Sequence, residues 1–270
     1  MAVTAPMNHD EELARANKPS ADAMRLHPFY RGKIQTMAKV PVRDWDDFSI
    51  WYTPGVAAPC RAIAAEPELV YEYTNKANTV AIVTDGTRVL GLGDIGPRGG
   101  MPVMEGKALL FKYLGGVDAV PLCLDTRSAE DIVNTVRLIQ PTFGGINLED
   151  IAQPRCFDVL DTLRADPAIE IPVFHDDQQG TATVLLAGLL NALKLTNRDI
   201  RNTRFAMVGM GAANVATLRL LRANGVSLEQ VVACDSLGIL HRERGDVIAR
   251  QDEFPDKYLL CTESNVDDLR

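Results

Sequence analysis

The stretch that most limits how this chain can fold is Phe205-Ala206-Met207-Val208-Gly209-Met210-Gly211-Ala212-Ala213-Asn214. A short apolar run leads into two glycines one residue apart, then into a helical pattern from about Ala212 to Ala223, and Val231–Cys234 forms a second apolar run beyond it. That order reads as a strand–helix–strand unit with a tight first turn. The glycines let a pyrophosphate approach the backbone at a helix N-terminus, where free N–H groups and the helix dipole favour anions. Asp235 follows the second strand, 21 residues beyond Asn214, placed to accept hydrogen bonds from an adenosine ribose. Gly209, Gly211, Ala212, Asn214 and Asp235 are therefore candidate dinucleotide contacts. The acid favours NAD over NADP, because it would repel a 2′-phosphate. Asn214 stands where Gly or Ala is usual and is expected to loosen helix–strand packing. A glycine turn in an ordinary strand–helix–strand unit would leave the same pattern without a nucleotide.

The rest of the chain alternates in the same way. Strand candidates are Thr79–Asp85, ended by the turn signal Asp85-Gly86, then Val117–Leu124, Gly144–Leu148 and Ile171–Phe174. Helical patterns fall at Ala21–Met37, behind Ser128 with Ile132, Val136 and Ile139 on one face, and around Arg155–Arg164. Val184–Leu195 is strongly apolar and too long for a strand, so it reads as a buried helix. Trp51-Tyr52-Thr53-Pro54-Gly55 reads as a turn entering a helix. Such alternation predicts an α/β fold with mostly parallel sheets. Residues 1–20 are expected to form a polar, mobile tail, 21–175 an α/β domain, and 176–270 a partial Rossmann-type domain with two readable strands.

Composition narrows the functional classes. The 270 residues carry 28 Lys and Arg against 36 Asp and Glu, a net charge of −8, which argues against a nucleic-acid-binding surface. No apolar run reaches the roughly 18–20 residues that span a bilayer. The acidic, polar N-terminus lacks a secretory core, so a cytoplasmic protein is expected. Cys60, Cys123, Cys156, Cys234 and Cys261 are odd in number and widely spaced, which reads as reduced thiols, not a disulfide framework or thiolate zinc site. Gly100 to Gly106-Lys107-Ala108 is not a triphosphate loop: five residues separate the glycines, and Ala108 stands where a hydroxyl should bind magnesium.

Two strand candidates end in paired acids, Glu149-Asp150 and Asp176-Asp177. In an open parallel sheet the carboxyl ends of strands line the ligand crevice. Carboxylates gathered there repel one another unless a cation neutralises them, and oxygen ligands suit Mg²⁺ or Mn²⁺. His175 is read as packing beside the acids, not as a ligand. Helix capping is the alternative role for these side chains.

With those residues in view, the sequence resembles the bacterial malic enzymes from about residue 25 onward. The resemblance rests on Tyr52-Thr53-Pro54-Gly55-Val56-Ala57, on Thr84-Asp85-Gly86-Thr87-Arg88 running on to Gly96, and on Pro102-Val103-Met104-Glu105-Gly106-Lys107. Gly145-Ile146-Asn147-Leu148-Glu149-Asp150 and Phe174-His175-Asp176-Asp177-Gln178-Gln179-Gly180-Thr181-Ala182 complete it. It implies oxidative decarboxylation of malate to pyruvate and CO₂ with NAD or NADP and a divalent metal, in a homodimer. By the same resemblance Tyr52 would be the general acid and Lys107 the general base, with Asp176 supporting Lys107. Glu149, Asp150 and Asp177 would hold Mg²⁺ or Mn²⁺, and Arg88 would grip a substrate carboxylate. For Lys107 to act as a base near neutrality, its pKa must fall from about 10.4 to roughly 7–8. Gln179 and Leu237 stand where relatives often carry His and Lys. Relatives also continue well beyond the region matched here, which leaves two further readings: a shortened homologue that binds without turnover, and a dehydrogenase for another 2-hydroxy acid.

Overall fold

The computed structural model describes residues 9–270, apart from the side chains of His9, Asp10, Glu11 and Ala14. Helix α1 (His9–Tyr30) opens it. Of the stretch expected to be a mobile tail, residues 1–8 lie outside the described residues and the remainder is helical. Strong helix formers at 11–16 and the ion pair of Lys18 with Asp22, one turn on, account for this. The helix stops at Tyr30, short of the expected Met37, because Arg31 (φ 57°) and Gly32 (φ 128°) turn the backbone left-handed. Helix α2 (Trp45–Trp51) starts at Asp44, whose carboxylate accepts the N–H groups of Asp46 at 3.0 Å and Asp47 at 3.3 Å. The turn through Pro54-Gly55 then leads into α3 (Ala57–Ala65), followed by the single-turn α4 (Val70–Tyr73).

Four strands form the first sheet: β1 (Thr79–Thr84), β2 (Asp118–Cys123), β3 (Gly145–Leu148) and β4 (Val173–His175). They are parallel throughout, in the order β2-β1-β3-β4. The connecting helices are α5 (Gly96–Gly115), α6 (Ala129–Ile139) and α7 (Arg155–Ala165), as a parallel sheet requires. Ala81, Val83, Ile146 and Leu148 from the two central strands pack with Ile132, Val136, Val159, Leu160 and Leu163 of α6 and α7. Burial on both faces explains why β1 reads as a continuous apolar run instead of an alternating one.

A π-helical turn (Asp176–Gly180) leads from β4 into α8 (Thr181–Leu195). Then come β5 (Phe205–Val208), α9 (Ala212–Ala223), β6 (Val231–Asp235), β7 (Gly238–Ile239), α10 (Gly245–Ile248) and α11 (Pro255–Glu263). Strands β5 and β6 are parallel and β7 is antiparallel to β6, so this sheet has three strands among the described residues, not the two read from sequence. Leu218, Val231, Leu240 and Leu260 lie fully buried at its core.

Helix α8 corrects a second expectation. Ala182 and Leu193 are its buried residues, and Leu186 and Leu189 lean on the second core. Val184 (68% exposed) and Leu195 (89%) face outward. This strongly apolar helix was expected to be buried, but only one of its faces meets a core.

Candidate functional site

Register builds the site. Leu148 pairs with His175 across β3 and β4, so the two acidic pairs leave adjacent parallel strands at the same level. One oxygen from each of Glu149, Asp150 and Asp177 falls within 4.8 Å of the others. Glu149 and Asp150 are buried and Asp177 is half-buried. Asp150 adopts a left-handed backbone (φ 53°), and its N–H donates to Asp177 Oδ2 at 2.8 Å. Asn147, inside β3, donates from Nδ2 to Glu149 Oε2 at 2.9 Å. Lys107, projecting from α5, lies 2.7 Å from Asp176 Oδ2 and 3.1 Å from Glu149 Oε1.

The charges in this cluster are unbalanced. Burial, and then the field of Asp177, push Glu149 up to about 7 and Asp150 up to about 6, with Lys107 pulling both the other way. Asp177 is raised too, first by burial. Asp150 Oδ2 is buried with no hydrogen-bond partner among the described residues. An oxygen-only triad with an unpartnered buried carboxylate oxygen suits a hard divalent cation such as Mg²⁺ or Mn²⁺, so these residues fit the metal that the sequence implied. His175 sits fully buried behind them, its Nδ1 3.8 Å from Asp177 Oδ2, and burial takes its pKa down to about 4. Neither of its ring nitrogens has a hydrogen-bond partner among the described residues.

Lys107 is pulled both ways. Burial lowers its pKa, but the hydrogen bond to Asp176 and the field of Glu149 outweigh burial, and the net shift is upward. Positive charge brought into the triad would push it the other way, toward the range a base needs. Arg88 is exposed, its guanidinium near enough to lower Asp150 and Asp177, and its backbone N–H donates to the carbonyl of Asp150 at 3.0 Å. Tyr52 is 71% exposed, just past the end of α2, and no hydrogen bond joins it to the carboxylates or Lys107. The structure therefore gathers Lys107, Glu149, Asp150, Asp176 and Asp177, sets Arg88 at their edge, and leaves Tyr52 apart.

Two groups escaped sequence reading. Gly180 lies so close to Asp176 that a Cβ there would overlap Asp176 Oδ1. Asp85 and Arg155 pair, with Arg155 Nε 3.0 Å from Asp85 Oδ2. The acid–base spacing across 70 positions offered no signal, whereas the glycine of Asp176-Asp177-Gln178-Gln179-Gly180 was visible as a turn residue beside paired acids.

In the second sheet, Gly209 (φ 84°) turns the chain from β5 toward α9 as the glycine pattern required. Asn214 does not loosen the unit: its Nδ2 donates to the carbonyls of Val208 at 3.0 Å and Gly209 at 2.6 Å, closing the turn, and Val215 and Leu218 behind it are buried. Gly211 and Ala212 stand at the start of α9. Asp235 ends β6, but it is not a bare carboxylate. It accepts from Arg244 Nη2 at 3.1 Å, Lys257 Nζ at 3.1 Å and the N–H of Leu237 at 3.0 Å. Those two cations offset its charge, so the electrostatic case against a 2′-phosphate is weaker than an isolated acid suggests.

Comparison with known proteins matches both parts of the chain. The family described as "Malic enzyme, N-terminal domain" matches residues 31–131, and "Malic enzyme, NAD binding domain" matches residues 178–268. The chain belongs to the malic enzyme family. It is 54% identical over 212 residues to the NAD-dependent malic enzyme of Geobacillus stearothermophilus, covering 78% of this chain and 44% of that protein. To the bifunctional malic/malolactic enzyme of Bacillus subtilis it is 50% identical over 223 residues, covering 83% and 53%. The NADP-dependent malic enzyme of Rhizobium meliloti is 43% identical over 236 residues, covering 87% and 31%. Family members named for NAD and for NADP are thus both among its relatives. The crystal structure of the Entamoeba histolytica malic enzyme superposes with a TM-score of 0.88 at 42% identity, covering 99% of this chain and 56% of that one. The chain spans about half the length of the first two relatives and of that structure.

Proposed function

We propose that this chain carries out the oxidative decarboxylation of malate to pyruvate and CO₂, with NAD (NADP is also accepted) and Mg²⁺ or Mn²⁺. The observation that supports it most is the buried triad of Glu149, Asp150 and Asp177, whose oxygens lie within 4.8 Å of one another, beside Lys107. On this reading the division of labour is between 21–175, which holds substrate and metal, and 176–270, which binds the dinucleotide through Gly209, Gly211, Ala212, Asn214 and Asp235. Held by these residues, the cation would supply Lewis-acid polarisation of the C2 oxygen of malate and the nicotinamide a hydride acceptor for C2.

The chain's own groups do the rest. Glu149, Asp150 and Asp177 hold the cation. Lys107 takes the proton of the C2 hydroxyl, and Asp176 orients it through the 2.7 Å contact. Arg88 binds a malate carboxylate, a charge-assisted contact that orients the departing CO₂. Tyr52 returns a proton to C3 once CO₂ has left, which requires its exposed segment to move or to be covered. The same reading carries a cytoplasmic homodimer; the exposed aromatics Phe29 of α1 and Trp45, Phe48 and Trp51 of α2 are apolar surface that a second copy would cover. The testing experiment supplies the purified chain with malate, NAD⁺ and Mn²⁺ and follows absorbance of the reduced nicotinamide. Turnover that Lys107→Ala abolishes supports the enzyme.

A second reading is favoured by Tyr52, which is 71% exposed and makes no hydrogen bond to the carboxylates or Lys107. There the chain binds metal and malate without turnover. Mn²⁺ and malate binding with no absorbance change would select it, and turnover of lactate or tartrate but not malate would select a different 2-hydroxy acid dehydrogenase.

A further inference from the structure

Arg155 occupies a position that helix physics disfavours. It is the first residue of α7, where the dipole opposes a cation. Its guanidinium nevertheless has every nitrogen engaged, on two different loops. Nε donates to Asp85 Oδ2 at 3.0 Å, and Nη2 lies 2.8 Å from the same oxygen. Nη2 also donates to Thr87 Oγ1 at 3.0 Å, and Nη1 donates to the carbonyl of Arg127 at 2.9 Å. Asp85 is completely buried, and its other oxygen accepts the N–H of Thr87 at 3.0 Å and the Thr87 hydroxyl at 2.6 Å. Thr87 Oγ1 in turn accepts the N–H of Ala152 at 2.8 Å.

These bonds lock the loops that follow β1, β2 and β3 into one rigid unit. Arg88 is the next residue after Thr87, and its N–H donates to the carbonyl of Asp150. The backbone from which the Arg88 side chain springs is thus held to the β3 loop, which carries Glu149 and Asp150, by two stitches, and the stitch through Thr87 hangs on Arg155. We infer that Arg155, with Asp85 and Thr87, is a positioning device that fixes Arg88 against the carboxylate triad at the spacing of a 2-hydroxy dicarboxylate. This rests on the reading of Arg88 as the substrate's carboxylate contact. Lysine could keep the charge but not the planar fork that reaches Asp85, Thr87 and Arg127 together.

The test separates substrate from metal. Mn²⁺ binding to the full chain is titrated by electron paramagnetic resonance, and L-malate binding to the Mn²⁺-loaded chain by calorimetry, in the parent and in Arg155→Lys. The expected result is malate affinity lowered about tenfold or more with Mn²⁺ affinity within about twofold of the parent. Unchanged malate binding overturns the inference and leaves the proposed function standing. Equal weakening of both ligands also overturns it, because general damage to the sheet edge moves both. If Arg155→Lys does not fold, Thr87→Val, which keeps the Asp85–Arg155 pair but cuts the link to Ala152, is read by the same criteria. Failure of the parent to bind Mn²⁺ or malate overturns the proposed function, and this inference with it.

Discussion

Gly180 is the residue on which the cluster's geometry depends most directly. The carboxylate of Asp176 occupies the space a Cβ would need, and Asp176 is what holds Lys107. Gly180→Ala therefore pushes Asp176 aside without touching any proposed ligand of the metal. Because a displacement of about 1 Å at a reacting group costs on the order of 10²-fold in rate, malate turnover in Gly180→Ala is expected to fall by roughly that factor. Mn²⁺ affinity is expected to stay near the parent value. Steady-state rates and a metal titration on the same preparation check this pair of outcomes. Gly86 is constrained in the same way: with φ 68° it lies against the backbone of Gly96, so the turn after β1 admits no side chain. Both glycines sit in motifs that were legible beforehand. Their reasons were not, because the atoms they accommodate come from four or more residues away.

At the scale of elements, strands and helices were largely readable. Strand β1 fell within a residue of its expected end, and Ser128 caps α6 as its sequence implied, accepting the N–H of Asp131 at 3.3 Å. Ends and faces were harder. Helix α1 stopped early at a left-handed pair, and α8 met a core on one face only, since burial is a property of what lies opposite. The start of β2 offers a stability test. Asp118 accepts from Lys112 at 2.7 Å, Asn75 at 3.0 Å and Asn78 at 3.2 Å, led by the Lys112 bond, and its carboxyl is held down to about 2. A folded-state value below the ordinary value of about 3.9 means that the ionised carboxylate stabilises the fold above roughly pH 4. That contribution is lost as pH falls toward 2. Solvent screening of this surface group limits it to about 1 kcal/mol or less. Urea unfolding of Asp118→Asn is expected to show a deficit of that size at pH 6, shrinking to nothing near pH 2.

Across the whole molecule, the largest unsatisfied feature is the excess of negative charge where β3 and β4 end. A cation bound there only in the folded state stabilises it by mass action, about 2.7 kcal/mol at a hundredfold excess over Kd. For a chain of this size that raises Tm by roughly 5–10 °C. Thermal melts are expected to show the rise with Mn²⁺, its loss on chelation with EDTA, and its absence in Asp177→Asn. A rise that persists in Asp177→Asn would place the metal elsewhere.

From its order of residues, this chain settled the alternation of strand and helix, the glycine turn at 209–211 and the acidic pairs at two strand ends. Each of these depends on neighbours within one or two turns of chain, where local sterics and hydrophobic period decide. Tertiary structure decided that Leu148 would pair with His175 and bring the acids level, that Asp235 would be claimed by Arg244 and Lys257, and that Arg155 would reach Asp85. It also turned the shift of Lys107 upward. Those outcomes rest on distances between residues far apart in sequence, and Coulomb energies and desolvation follow distance and burial, neither of which a linear order of residues specifies.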